Sequence, residues 1–143
     1  MFDGVPTYRG TKYTFEKHFL GPDRVPRFDG KGDDGADGEE FKAAQLIDAM
    51  PEVEYWVRNV ARHPNAFRLP ASGGWTYPDF VARLNDRRIL VTEYKGDHLI
   101  AGAAEKQAVG DLWASQDDHS NVYVFAQRNV DGKDVREQIR SRL

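Results

Sequence analysis

Two apolar runs, Phe80-Val81-Ala82-Arg83-Leu84 and Arg88-Ile89-Leu90-Val91-Thr92, flank the polar triplet Asn85-Asp86-Arg87 in the chain's second half. Aliphatic and β-branched residues on both sides of a short polar break predict an antiparallel hairpin with a three-residue loop. That loop length sets the pairing: Leu84 faces Arg88, Val81 faces Val91, and Asp79 faces Glu93. Directly opposed residues have Cβ atoms about 4.5–5.5 Å apart. Side chains repeat every second residue, so Glu93 and Lys95 point to the same side as Asp79. Val81, Ile89 and Val91 share that face, which makes it half-buried, and an unpaired carboxylate there is costly. A divalent cation held between two such carboxylates reverses the sign of their repulsion. Hard oxygen ligands suit Mg²⁺, which is held by one or two carboxylates plus substrate phosphates. A lysine beside it stabilises charge on a phosphate or orients an attacking water. The pattern predicts a metal-dependent phosphodiesterase site.

The rest of the chain builds a frame around this hairpin. Glu39 to Met50 has Ala43, Leu46, Ile47 and Met50 at helical spacing, and Pro51 stops it. Val53 to Arg58 alternates as a strand, Ala66 to Leu69 is a short extended segment, and Ser72-Gly73-Gly74 is a flexible connection. Ala101 to Ser115 predicts a second helix with Ala104, Ala108, Leu112 and Trp113 inward, and Asn121 to Ala126 is a strongly β-forming run. Asp131 to Leu143 predicts a final amphipathic helix marked by Val135 and Ile139. A strand, a crossover helix and a returning strand form a parallel unit. The expected fold is therefore α/β, a mixed sheet flanked by helices. Residues 1–38 form an arm and a Gly/Asp-rich loop packed on a domain spanning 39–143. The Asp29–Gly38 run fails the calcium-loop pattern, since Lys31 sits where the third ligand should be, and reads as a mobile loop.

Composition excludes several classes. With 143 residues the chain suits one domain and is too short for two ordinary ones. No window approaches the roughly 20 apolar residues of a membrane span, and no signal peptide is visible. The absence of cysteine removes disulfides, thiolate zinc sites and a thiol nucleophile, and agrees with a cytoplasmic setting. Four scattered histidines argue against a His-metal nuclease, and no phosphate-binding glycine loop is present. The net charge of −3 is unusual for a DNA enzyme. Much of the acid is concentrated between Asp29 and Glu40, and arginines are spread elsewhere, Arg58, Arg62 and Arg68 among them. Weak intrinsic DNA affinity, supplemented by a partner, reconciles charge with chemistry.

Pro78-Asp79 followed by Glu93-x-Lys95 resembles the signature of the PD-(D/E)XK nuclease superfamily. The ordered set around it, Lys17-His18-Phe19, Glu40-Phe41-Lys42-Ala43-Ala44, Trp56-Val57-Arg58-Asn59, Glu105-Lys106 and Gly110-Asp111-Leu112-Trp113, resembles the C-terminal nuclease regions of type III restriction-like and DEAD/DEAH-box helicase proteins. The likeness runs from about Tyr13 to Leu143. It implies a restriction-endonuclease-like αβββαβ core, with Asp79 and Glu93 binding Mg²⁺ (Mn²⁺ substituting) and Lys95 assisting the attacking water. The products would be 5′-phosphate and 3′-hydroxyl ends. It further implies the Tyr94 carbonyl as a ligand, DNA as substrate and a helicase or ATPase motor as partner, with a possible homodimer for double-strand cleavage.

Around that centre, Glu40 starts a helical stripe turned toward the sheet and is the additional acid, with Glu39 as competitor. Lys106 and Gln107, on the helix after the catalytic strand, are candidates for the scissile phosphate, and Arg58 for the backbone. Trp56 and Trp113 are expected in the core, and Trp75 on the rim, where it could stack on bases. Two rival readings stand beside the endonuclease. One is a catalytically silent nucleic-acid-binding module. The other is a sugar hydrolase using Asp79 and Glu93, whose expected separation matches the about 5–5.5 Å of retaining pairs but whose neighbouring lysine fits poorly.

Overall fold

The computed structural model describes residues 4–9, 12–28, 35, 38–71, 74–95, 103–116, 121–128 and 130–143, with the backbone alone at 71, 95 and 103. The first helix, α1 (Glu39–Ala49), begins with two acids that favour the dipole's positive end and buries Phe41, Ala43, Ala44 and Ile47. It stops where Met50 turns extended, just before Pro51. Strands β1 (Val53–Arg58), β2 (Leu69–Ala71), β3 (Gly74–Thr76), β4 (Phe80–Leu84) and β5 (Ile89–Lys95) follow. Then come α2 (Ala103–Ala114), β6 (Asn121–Gln127) and α3 (Val135–Arg140). The described strands form a four-stranded sheet in the order β1-β4-β5-β6 and a separate β2-β3 ribbon. β1, β4 and β5 are antiparallel, and β6 runs parallel to β5 after the α2 crossover. The fold is thus mixed α/β with a mixed central sheet flanked by helices.

The hairpin register is the expected one. Val81 pairs with Val91 and Ala82 with Leu90, and the Leu84 amide donates to the Arg88 carbonyl at 2.9 Å. The loop closes because Arg87 adopts a left-handed φ of 74°, as the third residue of such loops does.

Two cores sandwich the sheet. On one face Phe80, Ala82, Leu84, Leu90, Tyr94, Val122 and Val124 pack with α1, α3 and the N-terminal aromatics Tyr8, Phe15 and Phe28. On the other, Val91, Tyr123 and Phe125 pack with Leu69 and Ala114. Both sheet edges are covered, which removes templates for stray pairing. Residues 17–19 lie along β1, exchanging main-chain bonds of 2.8 and 3.0 Å with Trp56. Asp48, buried at the end of α1, ties them down by accepting from Glu16 N, Lys17 N, Tyr13 OH and Trp56 Nε1. The β6 edge is covered by two glutamines. Gln107 bonds Tyr123 O and Phe125 N, while Gln138 bonds both main-chain groups of Gln127.

Three expectations change. Ala104, Ala108 and Leu112 face outward, Leu112 at 66 % exposure, and Trp113 is half-buried. α2 instead turns Gly110, Gln107 and Ala114 inward, because close approach to β6 and capping of its edge decide the rotation. The final helix starts four residues later than expected, at Val135, since residues 130–133 close a turn and Asp134 caps the helix by accepting from Glu137 N at 2.9 Å. The segment around Leu69 and Gly74 is a paired ribbon rather than an isolated extended piece and a loop. Ser72-Gly73, Ala101 and most of the Asp29–Gly38 run lie outside the described residues.

Candidate active site

Pro78 shapes the centre. Continuing the hairpin register past Phe80↔Thr92 sets residue 78 opposite Tyr94, and proline has no N–H to donate there. Its carbonyl accepts from Asn59 Nδ2 instead, and the Asp79 carboxylate takes that acceptor's place: Oδ2 accepts from Tyr94 N at 2.8 Å. N–H and C=O of one strand residue point to the same neighbour. The Tyr94 carbonyl therefore leaves β5 on the Asp79 side, where Pro78 cannot bond it. Tyr94's own ring goes to the opposite face, buried in the first core, with its hydroxyl on Glu39 at 3.1 Å.

Glu93 is a buried carboxylate, 4 % exposed. Lys106 of α2 reaches its Oε1 at 3.3 Å, and the Tyr123 hydroxyl lies 3.5 Å from Oε2. The Lys106 ammonium also sits over the Phe125 ring. Burial, then the charge of Glu93 beside it and that of Asp79, pushes the Tyr123 phenol well above its ordinary pKa. The Lys95 backbone continues β5, but its side chain lies outside the described residues.

A cavity of about 560 Å³ opens beside Asp79, walled by Glu40, Arg58, Asn59 and Tyr77 and by Val5, Pro6, Arg27 and Phe28 of the N-terminal arm. Of the two helix acids, Glu40 shares this cavity with Asp79. Glu39 turns away to Arg128, Lys42 and Tyr94, and the Arg128 guanidinium holds its carboxyl below the usual range. Arg58, expected on a DNA-facing surface, is largely buried. Its guanidinium binds Glu40 through Nε at 2.8 Å and through a second, short contact, and packs over Phe28. Its reach is confined to the cavity wall.

Gln107 is not at the acids. Its amide is committed to the β6 edge and Asp111. Trp75 lies on the β3 ribbon, 52 % exposed, whereas Trp56 is fully buried.

The chain matches no family model, no curated protein and no solved structure. What the site can do follows from its donors. Among the described residues no cluster of three or more Asp, Glu or His side chains occurs. The carboxylates of Asp79 and Glu93 and the Tyr94 main-chain carbonyl are nevertheless hard oxygen donors of the kind Mg²⁺ takes, with water and phosphate completing its shell. The residues present fit that ion.

Two residues the sequence reading passed over complete the site. Asn59, buried after β1, donates to Phe67 O and Pro78 O at 2.8 Å and accepts from Phe67 N, which fixes the main chain just before Asp79. Tyr123 supplies the hydroxyl at Glu93. A tyrosine inside an otherwise apolar strand was its one signal, because a buried hydroxyl seeks a partner.

Proposed function

We propose that this domain is a metal-dependent deoxyribonuclease of the PD-(D/E)XK, restriction-endonuclease-like type. The observation that carries this reading is the Pro78–Asp79/Glu93–Tyr94 arrangement. In it one carboxylate takes a ladder acceptor's place, and a second is buried two residues from Lys95. The succession α1-β1-β4-β5-α2-β6, with three antiparallel strands and a parallel fourth, supports the αβββαβ core.

Asp79, Glu93 and the Tyr94 carbonyl would hold Mg²⁺ or Mn²⁺. When bound, the ion neutralises the scissile phosphate and lowers the pKa of a coordinated water. Lys95 orients the attacking water. Lys106 keeps Glu93 in place and brings a positive charge to its side of the cleft. Glu40, held by Arg58, adds a further carboxylate at the cavity on the Asp79 side. With a net charge of −3, DNA affinity is supplemented by a partner such as a helicase motor, or by a second copy.

One observation favours a second reading, a silent nucleic-acid-binding module: Glu93 and Glu40 already have cationic partners in Lys106 and Arg58. Cleavage decides. Supercoiled plasmid and end-labelled single-stranded DNA are incubated with Mg²⁺, Mn²⁺ or EDTA and the full chain, alongside folded Asp79→Asn, Glu93→Gln and Lys95→Ala. We expect metal-dependent cleavage reduced at least about 100-fold in each variant. Cleavage untouched by all three variants would move the site elsewhere. A folded wild type that binds DNA in EDTA and cuts neither substrate would establish the silent module.

A further inference from the structure

The β2-β3 ribbon presents a feature the hydrolytic site does not use. Its base is anchored: Leu69 is buried in the second core, and Phe67 meets Trp113 edge-on at 5.6 Å. A two-stranded ribbon is marginal by itself, and these contacts join it to α2. Its outer side carries Trp75, opposite Pro70 in the pairing and half exposed. The guanidinium carbon of Arg68 stacks 4.0 Å from the centre of the Trp75 ring. An aromatic plane with a cation layered on it is a stacking surface that also attracts phosphate.

The ribbon runs straight into the site. Trp75 precedes Asp79 by four residues, so at full extension their Cα atoms are at most about 14 Å apart, within reach of a few nucleotides. Tyr77, midway between them, lines the cavity beside Asp79. That cavity is of small-ligand size and is closed on one side by Pro6, Arg27 and Phe28. It suits a single nucleotide. Inside a duplex the base faces are covered by their neighbours, whereas each unpaired nucleotide can offer a face to a ring.

Resting on the nuclease reading above, we propose that the substrate is single-stranded DNA, with an unpaired base stacked on the Trp75–Arg68 platform and the adjoining strand led past Tyr77 to Asp79.

The test is binding in EDTA, which does not depend on cleavage. Fluorescence anisotropy of a labelled oligo-dT and of a blunt duplex of equal length is followed for wild type, Trp75→Ala, Trp75→Phe and Arg68→Ala, with folding checked by circular dichroism. We expect oligo-dT to bind at least tenfold tighter than duplex. Trp75→Ala should weaken oligo-dT binding roughly 5- to 150-fold, as loss of one stacked base does, Trp75→Phe should retain most of the affinity, and Arg68→Ala should weaken it. Equal affinity for duplex and oligo-dT, or indifference to Trp75→Ala in a folded variant, overturns the proposal. An oligo-RNA arm bound more tightly than oligo-dT also overturns it as stated for DNA. Platform-dependent binding without any metal-dependent cleavage would retain the platform and remove the nuclease. Metal-dependent cutting of duplex alone would do the reverse.

Discussion

At the scale of single residues, the centre is built by substitutions for ordinary sheet chemistry. Pro78 has no ladder donor and gives its carbonyl to Asn59, and the Asp79 carboxylate accepts the Tyr94 amide in that carbonyl's place. The hairpin register leading up to Asp79 and Glu93 was legible because it depends only on loop length and a two-residue period. Their surroundings were not, because Lys106, Tyr123 and Asn59 are brought in from other elements. Asn59 is the residue on which this geometry leans. Asn59→Ala leaves the Phe67 amide and two carbonyls without their side-chain partner, and each unsatisfied buried group costs about 1–3 kcal/mol. Urea denaturation should show a loss of about 3 kcal/mol. On the proposed nuclease reading, activity should fall further than stability predicts, because Pro78 and Asp79 lose their fixed position.

At the scale of elements, α2 is where sequence pattern and structure part. Its most apolar stripe, Ala104-Ala108-Leu112, is outside, and the face toward β6 holds Gly110, Gln107 and Ala114. Hydrophobic periodicity ranks faces by transfer free energy. Here the rotation is set by distance and hydrogen bonding. A Cβ added at Gly110 would come within 1.9 Å of the Tyr123 ring, so the glycine is what lets the helix lie on that ring. The same rotation delivers Lys106 to Glu93 and Gln107 to the β6 edge. Gly110→Ala should cost about 1–3 kcal/mol despite the better helix propensity of alanine, read as a lowered thermal midpoint. By shifting α2 it should also weaken the Lys106–Glu93 contact, so that under the proposed function the metal affinity measured by calorimetry should change with it. An alanine variant as stable as the wild type would show that the helix can back away without loss.

At the scale of the whole molecule, the N-terminal segment and β1 meet at a buried histidine. His18 is 5 % exposed, packs edge-on against Trp56 at 4.8 Å, and accepts from Arg58 N through Nε2 at 3.2 Å. Burial holds its pKa down to about 4, against 6.5 in an exposed chain. Between those values the unfolded chain binds a proton that the folded one refuses. Stability is therefore fully present above about pH 6.5 and falls as pH drops toward 4, by about 1.4 kcal/mol per unit and on the order of 3 kcal/mol in all. Chemical denaturation from pH 7.5 to 4 should reveal this slope, and His18→Gln should reduce it.

Among the described residues no helix is long and apolar enough to cross a membrane. The amino-acid sequence alone determined the mixed α/β class and the hairpin register, since these follow from short-range periodicity and turn length. Only the tertiary structure decided that Glu40 rather than Glu39 meets the cavity, that α2 turns its glycine inward, and that Lys106 and Tyr123 close on Glu93. Those outcomes depend on how closely separate elements approach one another, and that distance is a property of the packed core.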